Sequence, residues 1–200
     1  MTIASDPQAE YDRQIFKNLT LDHEIIEAKE FYDCAFEGCS LVEVVVRQCR
    51  FVDCTFKQCD LSLMRVPDSS FTNTRFENCK MIGIDWTEAD WPREKFFDPI
   101  SFSKCVINHS TFIGLSLPKI KAIECIAHEV DFREADLSQA DLSHSDLAGS
   151  LFINTNLTRA NLSLARNYTI NAGLNTLKKT KFSLPEAMSL LHSLDIVLAE

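Results

Sequence analysis

A large apolar residue recurs at every fifth position over most of this chain, and neither ordinary secondary structure has that period. Phe16, Leu21, Ile26, Phe31, Phe36, Leu41, Val46, Phe51, Phe56, Leu61, Val66, Phe71, Phe76, Met81, Trp86, Trp91 and Phe96 keep one frame. The frame then slips by one residue. It continues through Phe102, Ile107, Phe112 and Leu117, with Ala122 and Ala127 as weak members, to Phe132, Leu137, Leu142, Leu147, Phe152, Leu157 and Leu162. An α-helix repeats at about 3.6 residues and a strand at 2, so a sustained period of five calls for a repeat architecture. The position two before each centre is small or slim. It holds every cysteine of the chain, Cys34, Cys39, Cys49, Cys54, Cys59, Cys79, Cys105 and Cys125, along with alanines, serines and threonines such as Ala135, Ser69 and Thr74.

If both marked positions point inward, each five-residue unit forms one side of a coil and four units close it. Coils of twenty residues then stack at strand spacing, ~4.8 Å apart, into an all-β solenoid. Stacking sorts the aromatic residues into columns. Phe31, Phe51 and Phe71 form one, which Trp91 extends. Phe36, Phe56 and Phe76 form the next, extended by Phe96, and Phe112, Phe132 and Phe152 form a later one. Such columns predict a core that each layer must fill to constant volume.

The units Ala135-Asp136-Leu137-Ser138-Gln139, Ala140-Asp141-Leu142-Ser143-His144 and Ala160-Asn161-Leu162-Ser163-Leu164 resemble the motif of the pentapeptide repeat proteins. That resemblance implies a right-handed quadrilateral β-helix. The expected organisation is an N-terminal segment or cap over 1–15, the repeat β-helix over 16–167, and a connection with a C-terminal α-helix over 168–200. The slip falls in a turn-rich stretch holding Pro92 and Pro99. Phase allows either a one-residue bulge or a six-residue insertion there, and the frame kept by Trp86, Trp91 and Phe96 favours the bulge. In the tail, Ser183, Pro185 and Glu186 read as a helix start, with Ser183 as N-cap. Ala187, Leu190, Leu191, Leu194, Val197 and Leu198 follow at helical spacing.

The chain has 200 residues, 20 basic and 29 acidic side chains, and a formal charge of −9. That balance argues against direct nucleic-acid binding by phosphate neutralisation. No apolar run is long enough to span a membrane, and the first residues lack the pattern of a secretory signal, so a cytoplasmic protein is expected. The cysteines are spaced by five rather than as tight pairs, and read as small buried hydrophobes rather than metal ligands or disulfides. The histidines match no ligand pattern, and no phosphate-binding glycine loop or nucleophile elbow is present. No cofactor, metal or catalytic residue is expected, and the chain reads as a non-enzyme.

The residue before each centre faces outward in this scheme. Asp131, Asp136, Asp141 and Asp146 make a candidate acidic binding surface. The tail helix carries more large apolar residues than one face can bury, which marks Leu184, Met188 and Ile196 as a candidate homodimer interface. The primary expectation is a protein-binding solenoid with an unspecified partner. The family resemblance implies an alternative, since some of its members protect DNA gyrase and topoisomerase IV from quinolones or related toxins and are dimeric, DNA-mimicking rods. This chain lacks the clear projecting loops of some quinolone-resistance types. A structural protein with no specific partner is the third reading.

Overall fold

Parallel pairing at a fixed offset defines the architecture. The computed structural model of the chain describes residues 3–91 and 100–194. It is a right-handed β-solenoid of about eight turns. One side carries the three-residue strands Glu10–Asp12, Glu30–Tyr32, Arg50–Val52 and Ser70–Thr72, paired in parallel with Tyr11, Phe31, Phe51 and Phe71 in register. The next side carries Ile15–Lys17, Ala35–Glu37, Thr55–Lys57, Arg75–Glu77, Ser101–Ser103 and Lys121–Ile123 in one six-stranded sheet. Leu41, Leu61, Met81, Ile107, Ala127 and Leu147 fill the third side, and Val46, Val66, Trp86, Phe112, Phe132 and Phe152 the fourth; all are buried.

Each unit has a reason to turn. The residue two after the centre adopts a left-handed backbone, from Asn73 at φ 48° to Gly83 at φ 72°. Asn, Asp, Gln, Glu and Gly predominate at these corners, where the chain must bend and the side chain points to water. The small inward position supplies hydrogen bonds as well as space. The Cys54 thiol donates to the Phe31 carbonyl at 3.3 Å, as the Ser69 hydroxyl does to Val46 at 2.9 Å and Ser145 to Ala122 at 2.7 Å. The same groups accept from the rung below: the Cys49 N–H donates to Ser69 Oγ, and the Cys125 N–H to Ser145 Oγ, each at 2.9 Å. A buried corner amide left unpaired would be costly. The cysteines are therefore hydrogen-bonding corner residues, and not merely small hydrophobes.

The aromatic columns change sides. Phe36, Phe56 and Phe76 stack with ring centroids 4.5 and 5.0 Å apart. Trp86 meets Phe71 and Phe76 edge-on and stacks on Phe112 at 6.0 Å, handing the bulk of the core to the fourth side. Above it, Leu117, Leu137 and Leu157 replace phenylalanine on the first side, and Ala122 is buried opposite Phe132 with Ala127 on the side between them. Each rung keeps its volume by this exchange.

The slip is larger than a bulge. Phe76 pairs with Phe102, an offset of 26 residues against the usual 20, and Lys80 with Val106 and Asp85 with Thr111 keep the same offset. Six residues are thus inserted between Trp91 and Ile100, and the place above Phe76 belongs to Phe102 rather than Phe96. Residues 92–99 lie outside the described part.

The ladder also exceeds the expected limits of 16 and 167. Tyr11 stacks on Phe31 at 5.0 Å, and Asn161–Leu162 pairs with Lys181–Phe182, which begins another coil where an irregular connection was expected. The final element is a 3₁₀ helix, Glu186–Leu194, rather than an α-helix. Ser183 does not cap it with its side chain; the Ser183 hydroxyl accepts from the Leu164 N–H at 3.1 Å, tying the tail to the last rung.

Candidate interaction surfaces

The four aspartates of the candidate acidic surface lie on four different sides. Bridges pair Asp131 with Thr111, Asp136 with Ser116, Asp141 with Lys121 and Asp146 with Ile126, each on its own face of the same coil. They form a girdle around the rod and not a stripe along it. Each is also a structural part of its corner. Asp136 Oδ1 accepts from the Ser138 N–H at 3.0 Å and from Asn156 Nδ2 at 2.9 Å; Asp141 Oδ1 accepts from Ser143 N–H at 3.1 Å and Asn161 Nδ2 at 3.0 Å. This is the side-chain-to-backbone turn that favours Asp and Asn. Asn156 and Asn161 repeat it one rung on, with Thr158 and Ser163.

The charges of these groups differ in availability. Asp131 is held below the ordinary carboxylate range by Arg133, whose Nη2 lies 2.6 Å away. Burial pushes the Asp146 carboxyl up, but hydrogen bonds from Asn167, Arg166, His128 and the Ala148 N–H outweigh it and hold it at about 2. Glu124, Glu129 and Glu134 occupy successive left-handed corners at the same level and are exposed. Cross-rung partners meet the acids here as elsewhere: Glu124 lies 3.8 Å from Lys104 and Glu129 3.4 Å from His109, as Lys17–Glu37 pair at 2.8 Å, Lys80–Asp60 at 3.1 Å and Lys57–Glu77 at 3.4 Å.

The C-terminal end is apolar on its surface. Leu184 is 76% exposed and Met188 42%, while Ile196 lies outside the described residues. Leu190 packs on the core, and Ser193 Oγ accepts from the Ala172 N–H at 3.0 Å, so the helix is seated on the last coil. Leu194, which keeps the helical spacing of Leu190 and Leu191, is 51% exposed. Leu151, Ile153, Leu164 and Leu174 are exposed nearby in sequence and rung. The spacing of twenty between Leu164 and Leu184, which puts them on one corner, is the signal that could have found this wider patch.

The eight cysteines are free and buried. Burial pushes the Cys54 thiol up to about 12 and Cys49 to about 11, so both are protonated at neutral pH. Among the described residues no cluster of His, Cys, Asp and Glu is placed to hold a metal ion, and no helix is long and apolar enough to cross a membrane.

A solenoid with four inward-facing columns and a left-handed corner in nearly every unit defines a class. Two family models match the chain, one described as a pentapeptide repeat region, over residues 29–98, and one described as pentapeptide repeats (8 copies), over residues 131–166. The chain belongs to the pentapeptide repeat family. A trypsin-treated form of QnrB1, a plasmid-mediated fluoroquinolone resistance protein, is similar at 20% identity over 96% of this chain and 92% of that one, with a TM-score of 0.63. A second trypsin-treated QnrB1 gives 18% identity, 92% and 100% coverage and a TM-score of 0.66; the full-length form gives 20%, 94% and 100%, and 0.54. At these identities the likeness is one of fold. A search of the curated proteins finds no match.

Proposed function

We propose that this chain is a cytoplasmic, non-enzymatic protein-binding solenoid that forms a homodimer through its C-terminal end. The observation that carries the dimer is the concentration of exposed large apolar side chains there: Leu151, Ile153, Leu164, Leu174, Leu184, Met188 and Leu194. Large apolar side chains exposed at one end of a rod mark an interface, and a two-fold axis at that end joins two rods without leaving an open site. Sedimentation tests it. A mass near twice 22.7 kDa is expected, reduced to one chain by Leu184→Asp with Met188→Asp. A monomeric wild type at all concentrations overturns the dimer.

A type II topoisomerase is the second reading for the partner. The fold likeness to QnrB1 along nearly the whole chain supports it, as do Asp136 and Asp141, carboxylates on two sides of one coil. A DNA mimic competes with duplex DNA without binding DNA, through charge complementarity. The test is gyrase supercoiling with and without a quinolone. Protection at low protein concentration supports the reading. No effect on supercoiling or drug action leaves the protein-binding role with another partner, and failure to capture any partner favours the purely structural role.

A further inference from the structure

Residues 147–185 hold five basic side chains and no acidic one, in a chain whose formal charge is −9. Stacking gathers four of the five, Arg159, Lys178, Lys179 and Lys181, on one corner of the rod, between its first and second sides. Lys119, Gln139, Arg159 and Lys179 are the left-handed residues at that corner in successive coils. The ladder sets them one above another: the Lys119 N–H donates to the Ser138 carbonyl, Gln139 to Thr158 and Arg159 to Lys178, each at 2.8 Å. Beside them on the second side Lys121, Asp141, Asn161 and Lys181 follow in register. The fifth base, Arg166, sits on the third side and is paired with Asp146 at 3.1 Å.

These charges are uncompensated. Lower on the rod a base meets an acid one rung away, as Arg47 meets Glu27 at 3.5 Å and Lys57 meets Glu77 at 3.4 Å. Here Lys119, Lys178 and Lys181 have Gln139, Thr158 and Asn161 one rung away, and Arg159 and Lys179 have each other. Among the described residues none of Lys119, Arg159, Lys178, Lys179 and Lys181 has an ion pair or a side-chain hydrogen bond, and all five are exposed. Asp141 lies beside the corner, but its Oδ1 is taken by the Ser143 N–H and Asn161 Nδ2. Like charges on neighbouring rungs repel and cost stability, and an anion laid along them relieves that cost.

Length and surroundings select the anion. Lys119 to Lys179 spans three rungs, ~14 Å, which roughly four or five residues of extended chain cover. The other three corners at the level of Lys119 are Glu124, Glu129 and Glu134, all exposed. A duplex, with a negative charge every ~1.7 Å and grooves far wider than one corner, meets those acids; a single extended peptide stays on the basic strip. We propose that this corner docks a short acidic segment of the partner protein, laid along the rod axis with its carboxylates on Arg159, Lys178, Lys179 and Lys181 and its far end at Lys119. The inference rests on the protein-binding reading and gives that partner its chemistry.

The test uses the full chain and a fluorescein-labelled peptide, Ser-Glu-Thr-Glu-Thr-Glu-Ser, read at low salt by anisotropy and by amide NMR shifts. Saturable binding is expected, with the largest shifts at Lys119, Gln139 and residues 158–161 and 178–181. The peptide with Gln for each Glu should bind at least tenfold more weakly. So should the Glu peptide to Arg159→Gln with Lys179→Gln, in which both corners gain the residue that Gln139 already places there. Lys17→Gln with Lys57→Gln removes the same charge from bases paired with Glu37 and Glu77 and should change affinity less than twofold. Equal losses in the two double variants, shifts centred elsewhere on the rod, or no binding at millimolar peptide overturns the proposal. A short DNA duplex that binds this corner more tightly than the peptide also overturns it. A purified partner that binds wild type and Arg159→Gln with Lys179→Gln equally overturns this surface while leaving the protein-binding reading in place.

Discussion

Phe56→Ala tests the register of the stack at its middle. Phe56 is 2% exposed, sandwiched between Phe36 at 4.5 Å and Phe76 at 5.0 Å with nearly parallel rings. The solenoid cannot collapse onto the gap, because the backbone ladder holds the rungs at strand spacing. A buried phenylalanine truncated in this way costs ~3–5 kcal/mol. Phe16→Ala is the internal control. Phe16 has one stacked partner within its own column and one open face, so its loss costs roughly 1–2 kcal/mol by the burial scale. Urea denaturation followed by far-UV circular dichroism and by tryptophan fluorescence gives both values. In a structure stabilised by neighbouring contacts, a gap in the middle weakens two interfaces and a gap at the end only one. A cost below about 1 kcal/mol for Phe56→Ala, which is less than a single large side chain should lose, would refute the central placement. So would equal costs at the two positions.

Asp136→Asn with Asp141→Asn should keep the corner hydrogen bonds, as Asn156 and Asn161 do, and leave thermal stability near wild type, whereas the two alanine variants should each lose about 1 kcal/mol. If topoisomerase binding exists, the Asn pair should also reduce its salt dependence; unchanged binding would exclude these two charges. Cys54→Ser should fold and Cys54→Leu should not, by circular dichroism, and Cys54 should resist a thiol reagent until the chain unfolds. The Asp146 carboxyl titrates at about 2 when folded, against an ordinary 3.8. Its stabilisation is present above the higher value and lost as pH falls through the lower one. The stability difference between wild type and Asp146→Asn should therefore shrink between pH 4 and pH 2, and a constant difference across that range would contradict the assignment.

The columns were legible because each centre is paired with residues twenty away, and side-chain volume alone sorts them. The slip was not, because phase after a period of five cannot separate one extra residue from six; only the pairing of Phe76 with Phe102 does so. The ends were legible in part. Tyr11, Leu177 and Phe182 keep the period, but Asn167 and Ala172 interrupt it and disguise the last coil. The scatter of Asp131, Asp136, Asp141 and Asp146 over four sides follows from their spacing of five, yet an outward position says nothing of angle until it is counted around the coil.

The ladder hydrogen bonds run along the rod axis, and this has a mechanical consequence. A pull on the two ends loads each rung in turn, and the chain can peel one coil at a time. Releasing twenty residues exchanges a rise of ~4.8 Å for ~66–72 Å of extended chain. A single molecule held in a force instrument should therefore lengthen in steps of about 60 Å or a little more, by the same reach per residue. The coil containing the six inserted residues should give one longer step, about 20 Å beyond the others at that reach.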